Sequence, residues 1–158
     1  MADIRTVWSD EFQIGDFALI DGALDATADL ETAVYLSLFT WARAKDDDAL
    51  PGDATDRKGW WGDLDGEALH GTKVIGSRLW LLARALKTEA TRQSAIAYAR
   101  EALLWLVNDG VAARITVDAE WQGDDRLALI VAIYDRAGAL IYDRRFAWAW
   151  TDLSASLA

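Results

Sequence analysis

Phosphate chemistry would be sought first among the closely spaced glycines in the middle of the chain. Gly66 and Gly71 have the spacing of a phosphate-binding loop, whose backbone N–H groups cradle a phosphate ahead of a Lys and then a Ser or Thr. Here that order is reversed, because Thr72 precedes Lys73, and no apolar strand leads into the loop. The sequence therefore predicts no nucleotide site and no cofactor.

Metal binding is not predicted either. A calcium-binding loop with Gly66 at its sixth position would place Trp61 and Thr72 where acidic ligands are required. The acids from Asp46 to Asp56 could hold calcium only through irregular ligation, and a solvated acidic loop is the favoured interpretation. The absence of cysteine removes disulfides, thiol catalysis and every Cys-ligated zinc or iron–sulfur site.

Acid–base or nucleophilic catalysis lacks a recognisable constellation. A glycosidase requires two carboxylates on either side of a cleft. Glu67 and Glu120 are candidates only because they lie near aromatic residues. The one histidine, His70, is predicted to lie in a loop or on the surface instead of acting as a base. We predict no catalytic residue and no enzyme activity.

The nine tryptophans are the unusual feature of the composition. Four lie in patterned segments and are predicted to belong to the core or its edge, namely Trp8, Trp80, Trp105 and Trp121. Tryptophan is enriched at interface hot spots because it buries a large area and keeps one N–H group to donate. Four others join aromatic residues of the first helix and the last strand as candidate interface residues: Trp60, Trp61, Tyr35, Phe39, Tyr142, Phe146, Trp148 and Trp150. A second interpretation stays open for the adjacent pair, in which Trp60 and Trp61 fold back over the helices.

The elements that position these residues follow from hydrophobic periodicity. Alternation at Ile4–Trp8 and a short apolar run at Phe17–Ile20 predict two short N-terminal strands, with a turn at Asp21-Gly22. Residues 45–75 are irregular and rich in acids and glycine. A connection this long inside a compact domain is usually functional or disordered, and the tryptophan pair argues against disorder.

Three helices are predicted: from residue 27 or 29 to about 44, from 76 to 86, and from 88 to 108. The first is apolar on most of its circumference, so it either is central or contacts something besides its own core. Thr88 is a typical N-cap for the third, and Asn108-Asp109-Gly110 is a typical C-cap.

The last third of the chain is predicted to be a three-stranded meander. Strict alternation marks residues 113–121, residues 126–134 are apolar on both faces like a central strand, and Leu140–Trp150 is a candidate sheet edge. The predicted fold class is α+β: an antiparallel β-meander at the C-terminus, with three helices packed on one face and short N-terminal strands. We expect a single domain over residues 1–158, with 45–75 irregular.

Charge narrows the classes of partner. Sixteen Lys and Arg against 26 Asp and Glu give a net charge of −10, which repels nucleic acid and anionic lipid. The start of the chain lacks the basic and apolar regions of a secretory signal. The longest uncharged stretch, residues 32–42, is too short to span a membrane. We therefore expect protein partners, with no nucleic acid and no membrane.

Several short sequence segments, taken together, carry a resemblance to a known family. The most specific are Gly59-Trp60-Trp61-Gly62-Asp63 and Gly76-Ser77-Arg78-Leu79-Trp80. The others are Asp3-Ile4-Arg5, Asp29-Leu30-Glu31-Thr32-Ala33-Val34, Leu36-Ser37-Leu38-Phe39-Thr40, Tyr98-Ala99-Arg100-Glu101-Ala102-Leu103 and Trp105-Leu106. Together, from about Asp3 to Trp150, they resemble the small baseplate protein family of Mu-like contractile-tailed phages and prophages. That family is similar to the lysozyme-like baseplate wedge proteins of larger phages and to sheath initiators of tailocins.

The resemblance implies a structural subunit of the virion tail baseplate, made in the cytoplasm of the host bacterium. Such a subunit links the wedge around the hub to the first sheath ring, in a sixfold assembly, and is a monomer or small oligomer alone. Its implied partners are other wedge and hub proteins and the tail sheath. The Glu-Pro-Arg signature of the larger relatives is absent, since the only proline, Pro51, follows Leu50. We expect the edge at Leu140–Trp150 to pair with a sheath strand, while Trp60, Trp61 and the first helix bind the wedge.

Two other functions remain as alternatives. The first is a peptidoglycan hydrolase of the muramidase type, suggested by the lysozyme-like label and by acids beside aromatic residues. The second is a small acidic regulator that covers a basic partner surface, which a strong salt dependence of binding would reveal.

Overall fold

The computed structural model of the chain describes residues 5–9, 14–17, 19–21, 23–24, 29–61, 63, 75–123 and 126–149. Four short strands open the fold: β1 (Thr6–Ser9), β2 (Ile14–Phe17), β3 (Leu19–Ile20) and β4 (Ala23–Leu24). Helix α1 (Asp29–Phe39), a 3₁₀ turn (Leu79–Leu82) and helix α2 (Glu89–Asn108) follow. The described chain ends with β5 (Arg114–Gln122), β6 (Arg126–Tyr134) and β7 (Leu140–Ala149).

The last three strands form an antiparallel sheet in the order β5-β6-β7, which confirms the predicted meander. Val117 lies opposite Val131, and Leu129 lies opposite Phe146, so these side chains share one face of the sheet. All four are buried. β6 is central, as its apolar residues on both faces predicted, and β5 and β7 are the edges of the described sheet.

Helix α2 covers the inner face of the sheet and packs mainly against β5. Thr88 is its N-cap as predicted, with the side-chain oxygen accepting from the N–H of Thr91 at 3.1 Å. The helix ends before Gly110, which has a φ of +74°. The small residues Ala95 and Ala99 are fully buried, so the helix backbone approaches the sheet closely.

The core lies between the sheet and the two α-helices. It is built from apolar residues of every element in this part of the fold, listed by chain order: Val34, Tyr35, Leu38, Leu79, Leu82, Ala95, Ala99, Leu103, Leu106, Val117, Leu127, Leu129, Val131, Ile133 and Phe146. Because α1, the 3₁₀ turn, α2 and the sheet all contribute, none of these elements can bury its apolar face alone.

The prediction of three helices packed on one face is wrong, because the described residues contain two α-helices. Residues predicted as the middle helix form the 3₁₀ turn Leu79–Leu82. Gly76 and Arg84, with φ values of +104° and +67°, stand on either side and leave too few residues for a stable helix. All four turn residues are buried, whereas an amphipathic helix exposes one side. The α+β class and the antiparallel strands fit the structure.

Helix α1 ends at Phe39, five residues before the predicted end near Ala44. The chain leaves the helix because the next backbone groups find partners elsewhere. Ser77 donates to the carbonyl oxygen of Thr40 at 2.9 Å, and Ala42 donates to that of Ser77 at 3.0 Å. Trp41 therefore lies outside the helix that was predicted to contain it.

Two small antiparallel pairs, β1 with β2 and β3 with β4, stand where short N-terminal strands were predicted. The positive φ of Asp21, +52°, fits the predicted turn between β3 and β4. Arg5, just before β1, pairs with Glu31 of α1 at 2.8 Å, and Arg144 of β7 pairs with the same carboxylate at 3.0 Å. One acidic side chain thus joins the N-terminal strands to the C-terminal strand.

No helix within the described ranges has the length and apolar character needed to cross a membrane.

Candidate interaction surface

A close backbone crossing fixes both ends of the long central segment. At this crossing Ser77 pairs with residues 40 and 42, and its hydroxyl donates to the carbonyl oxygen of Leu38 at 2.6 Å. Gly76 precedes it with a φ of +104°, and a Cβ there would lie 2.4 Å from the carbonyl oxygen of Thr40. Only glycine fits such an approach, so the crossing explains the glycine in the Gly-Ser-Arg-Leu-Trp segment.

Arg78 holds the acidic loop onto helix α2. Its guanidinium donates to both carboxylate oxygens of Asp48, at 2.7 and 2.9 Å, and to Glu101 at 2.5 and 3.2 Å. It also lies 4.5 Å from the ring centroid of Tyr98. Lys45 adds a second ion pair to Glu101 at 2.8 Å. A loop predicted from composition to be solvated and acidic is therefore anchored through one arginine.

The pKa values of both carboxyl groups reflect this arrangement. Burial alone would raise the pKa of Asp48, but hydrogen bonds from Arg78 and from the backbone of Lys45 outweigh it, so the pKa lies below its usual value. Burial opposes ionisation of Glu101 in the same way, and hydrogen bonds from Lys45 and Arg78 again lower its pKa. Both acids are held in the charged form.

Arg57 fastens the returning half of the loop. Its guanidinium donates to the carbonyl oxygens of Lys45 and, at 3.1 Å, of Asp46. Its own carbonyl oxygen accepts from the N–H of Ala44 at 2.9 Å. Residues 43–44 and 57–59 therefore run side by side.

Trp60 and Trp61 are brought together, with ring centroids 5.3 Å apart. Trp60 is half-buried, whereas 77% of Trp61 is exposed. Asp63, two residues beyond Trp61, accepts a hydrogen bond from the N–H of Ile75 at 3.3 Å, and Ile75 is also exposed. Trp61 does not fold back over the helices in this structure, and it is available to a partner.

Lys58 and Trp41 were missed as candidate site residues. The Lys58 ammonium lies 3.3 Å from the ring centroid of Trp41 and 5.2 Å from that of Trp80. Trp80 is buried and donates to the carbonyl oxygen of Ala42 at 2.8 Å. Lys58 and Trp41 are 17 residues apart in the chain and meet only because the loop returns, so no local sequence pattern could have found this contact.

The helix aromatics predicted for the interface lie inside the fold. Tyr35 and Phe146 are 3% and 1% exposed, and their rings meet edge to face at 5.6 Å. Phe39 packs against Phe146 at 5.5 Å and is half-buried. These three rings form an aromatic cluster between α1 and β7, and a neighbouring protein would reach only the exposed side of Phe39.

Tyr142 lies beside this cluster and is half-buried. Its hydroxyl has no hydrogen-bond partner among the described residues, and burial raises the pKa of its phenol. The backbone at Trp148 belongs to β7, opposite Leu127, and Trp150 lies outside the described residues. Among the described candidates, aromatic contacts join Trp60 to Trp61 and, separately, Tyr35 and Phe39 to Phe146.

Of the residues considered for catalysis, Glu120 alone lies within the described residues. Glu120 pairs with Arg145 at 2.8 Å on the outer face of the sheet. Glu67 and His70 lie outside the described residues, as do the glycines and Thr72-Lys73 of the phosphate-loop comparison. Within the described ranges, no group of three or more His, Asp or Glu could hold a metal ion.

Sequence comparison defines the class of protein to which this fold and exposed loop belong. The profile of the phage protein GP46 family matches residues 30–140, from α1 to the start of β7. The chain belongs to this family of Mu-like phage and prophage baseplate proteins. Together with the baseplate relative described next, this makes the chain a structural baseplate protein, located in the tail baseplate of the virion.

Two relatives show how far the likeness extends. The chain is 42% identical over 142 residues to "Baseplate protein gp46" of Escherichia phage Mu, covering 89% of this chain and 92% of the relative. It is 34% identical over 119 residues to "Mu-like prophage FluMu protein gp46" of Haemophilus influenzae, covering 75% of this chain and 76% of the relative. No solved structure gives a significant match.

Proposed function

We propose that this baseplate subunit links the wedge around the tail hub to the first ring of the sheath, through protein–protein contacts and without catalysis. In the particle it is present in a sixfold arrangement, and the isolated chain is a monomer or small oligomer. The observation that carries the wedge contact is Trp61, an indole that is 77% exposed on a loop held by arginine hydrogen bonds.

An exposed tryptophan on a fixed loop is suited to binding a protein. Such a side chain buries a large area on association, and a held loop loses little conformational freedom when it binds. Arg57 and Arg78 provide that restraint, because each closes a contact between residues distant in the chain. Trp60, next to it and half-buried, supports the ring of Trp61.

Strand β7 supports the contact with the sheath. It is an edge of the described three-stranded sheet, and the outer backbone groups of an edge strand can pair with a strand from a partner. Leu140 and Ile141 at its start are 52% and 44% exposed, so apolar side chains are available beside those backbone groups. A sheath strand added along β7 would extend the meander to four strands.

Co-expression with the neighbouring baseplate proteins tests the wedge contact. We expect a stable complex of defined mass by light scattering, and a weaker one when Trp60→Ala and Trp61→Ala are combined. Removing interface tryptophans commonly costs about 2 kcal/mol or more, which is at least a tenfold loss of affinity. Leu86→Ala is the matched control, because Leu86 is 79% exposed but lies outside the loop.

The possible results separate the parts of the proposal. Equal affinities of the double variant and the wild type would remove the loop from the wedge contact. A chain that stays alone with every tail protein tried would contradict the linking role. Muramidase activity in the purified chain would contradict the non-catalytic role.

A further inference from the structure

We propose that the surface around Lys58 is a receptor for a carboxylate on a neighbouring baseplate protein, borne by an acidic segment with an apolar residue beside the acid. We call this surface the Lys58 patch and define it by Trp41, Arg43, Arg57, Lys58 and Trp61. The inference rests on the proposed function and adds the chemistry of the partner.

The Lys58 ammonium is held in position without an acceptor. It lies over the rings of Trp41 and Trp80, and cation–π attraction of this kind orients an ammonium group while the N–H donors that point away from the rings stay available. No hydrogen bond or ion pair of this ammonium is formed within the described residues. Asp56 is the charged group that acts on it, and its carboxylate accepts instead from the backbone N–H of Lys58 at 2.8 Å. Partial burial lowers the pKa of Lys58.

The backbone at Lys58 is strained. Its φ is +51°, a conformation that glycine or asparagine adopts more easily than lysine. Strain of this kind is kept where the side chain is needed, and it often marks a functional site. A lysine here places the ammonium over the exposed face of Trp41, which is 41% accessible.

Charge around the patch favours an acidic partner. The guanidinium of Arg43 donates to the carbonyl oxygen of Lys58 at 3.4 Å, and that of Arg57 donates to carbonyl oxygens of the loop. Neither arginine forms an ion pair with a carboxylate in the part of the chain that the structure describes. Arg43 and Lys58 therefore lie side by side, and neither forms an ion pair with a described carboxylate, in a chain whose net charge is −10. An approaching acid would be attracted locally even though the whole molecule repels it.

Apolar side chains at the margin define the rest of the partner. Trp61 and Ile75 are 77% and 38% exposed, next to the loop that bears the cations. A carboxylate that reaches Lys58 would bring its neighbouring residues onto these side chains. An aliphatic or aromatic residue beside the acid would therefore gain buried area as the acid gains its ion pair.

The test uses the full-length chain, co-expressed with the neighbouring baseplate proteins. A photo-crosslinking benzoylphenylalanine at position 61 should mark, by mass spectrometry, an acidic segment of another baseplate protein. Lys58→Gln should weaken the purified complex roughly 10- to 100-fold, the range of a lost hydrogen bond between charged groups. Lys87→Gln is the matched control, since Lys87 also lies over a tryptophan ring, Trp121, but donates to the carbonyl oxygen of Gly123.

Two further variants protect the test from a folding artefact. Lys58→Gly relieves the positive φ, so it should fold at least as well as the wild type and still bind weakly. Lys58→Glu should bind more weakly still, and Lys at the cross-linked partner acid should restore that complex.

Each alternative result has a definite meaning. A Lys58→Gln complex as tight as Lys87→Gln, or cross-links to an uncharged segment or to a second copy of this chain, would overturn the carboxylate receptor and leave the baseplate linkage standing. Failure of the wild-type chain to bind any baseplate protein would overturn the proposed function itself.

Discussion

Gly76 leaves less room for a side chain than the other described glycines Gly52, Gly59, Gly110 and Gly138. Its φ of +104° disfavours other residues, and a Cβ would lie 2.4 Å from the carbonyl oxygen of Thr40. We expect Gly76→Ala to lower the free energy of unfolding by about 3 kcal/mol or more, because backbone strain and overlap add. Chemical denaturation followed by tryptophan fluorescence measures it.

Gly138 provides the control for strain without overlap. Its φ is +82°, but a Cβ there would meet nothing within 4 Å. Gly138→Ala should therefore cost only about 1 kcal/mol, the penalty for a left-handed conformation. Equal losses for the two variants would contradict the close approach at residue 76.

For single residues, the sequence predicts features that are local in the chain and misses contacts between distant segments. The pairing of β7 places Tyr142 and Arg144 on the same face as Phe146, as strand alternation indicates. A register irregularity between Ile133 and Tyr134, however, sets Leu140 opposite Tyr134 and breaks that alternation. Which face a helix covers depends on contacts distant in the chain, so Tyr35 and Phe146 were proposed for an interface although they pack against each other. Lys58 escaped notice for the same reason, because its aromatic partners are brought by the returning loop.

At the scale of elements, the loop that presents the tryptophans depends on ionised carboxylates. The lowered pKa values of Asp48 and Glu101 mean that the folded loop binds protons more weakly than the unfolded chain does. Their contribution to stability is therefore full above the ordinary carboxyl pKa of about 4 and is lost as pH falls through the lower folded values. Arg78 stays charged throughout, so acid leaves it without its partners.

Acid should consequently loosen the loop before the rest of the fold. We expect hydrogen exchange at the amides of Ala44 and Asp48, corrected for its intrinsic pH dependence, to accelerate below about pH 4. Amides in the middle of α2 should stay protected under the same conditions. Asp48→Asn should show fast loop exchange already at neutral pH, with a smaller further change in acid. Loop and helix amides accelerating together would contradict a separate opening.

The middle helix failed as a prediction for a reason that belongs to this scale. Residues 79–82 are apolar in an unbroken run, and such a run is compatible with a helix, a strand or a buried turn. Tertiary contacts decide among them: the crossing at Gly76 and the left-handed Arg84 confine the segment to one turn. α2 and the meander have strong caps and unambiguous periods, which is why their prediction succeeded.

One side chain, that of Glu31, links a segment near the start of the described chain to one near its end. Glu31 of α1 is 12% exposed and accepts from Arg5 near the N-terminus and from Arg144 in β7, 113 residues away. The hydroxyl of Tyr35 donates to the same carboxylate at 3.0 Å. The arginine that interrupts the apolar face of β7 in the sequence is therefore the residue that fastens this strand to the helix. If β7 pairs with a sheath strand as proposed, a force applied to β7 would be transmitted to α1 through the ion pair between Arg144 and Glu31.

Glu31→Gln tests this linkage without changing the size of the side chain. We expect it to lower the free energy of unfolding by about 2 kcal/mol, because the nearly buried group loses its charge toward two guanidinium groups and one of its two oxygen acceptors becomes an NH2 donor. Glu120→Gln is the control, since Glu120 is 53% exposed in its pair with Arg145 and should cost less than about 1 kcal/mol. Combining Glu31→Gln with Arg144→Gln should cost less than the sum of the two single changes, as expected for a direct contact. Additive losses, or equal losses for residues 31 and 120, would show that the ends of the chain are not joined through Glu31.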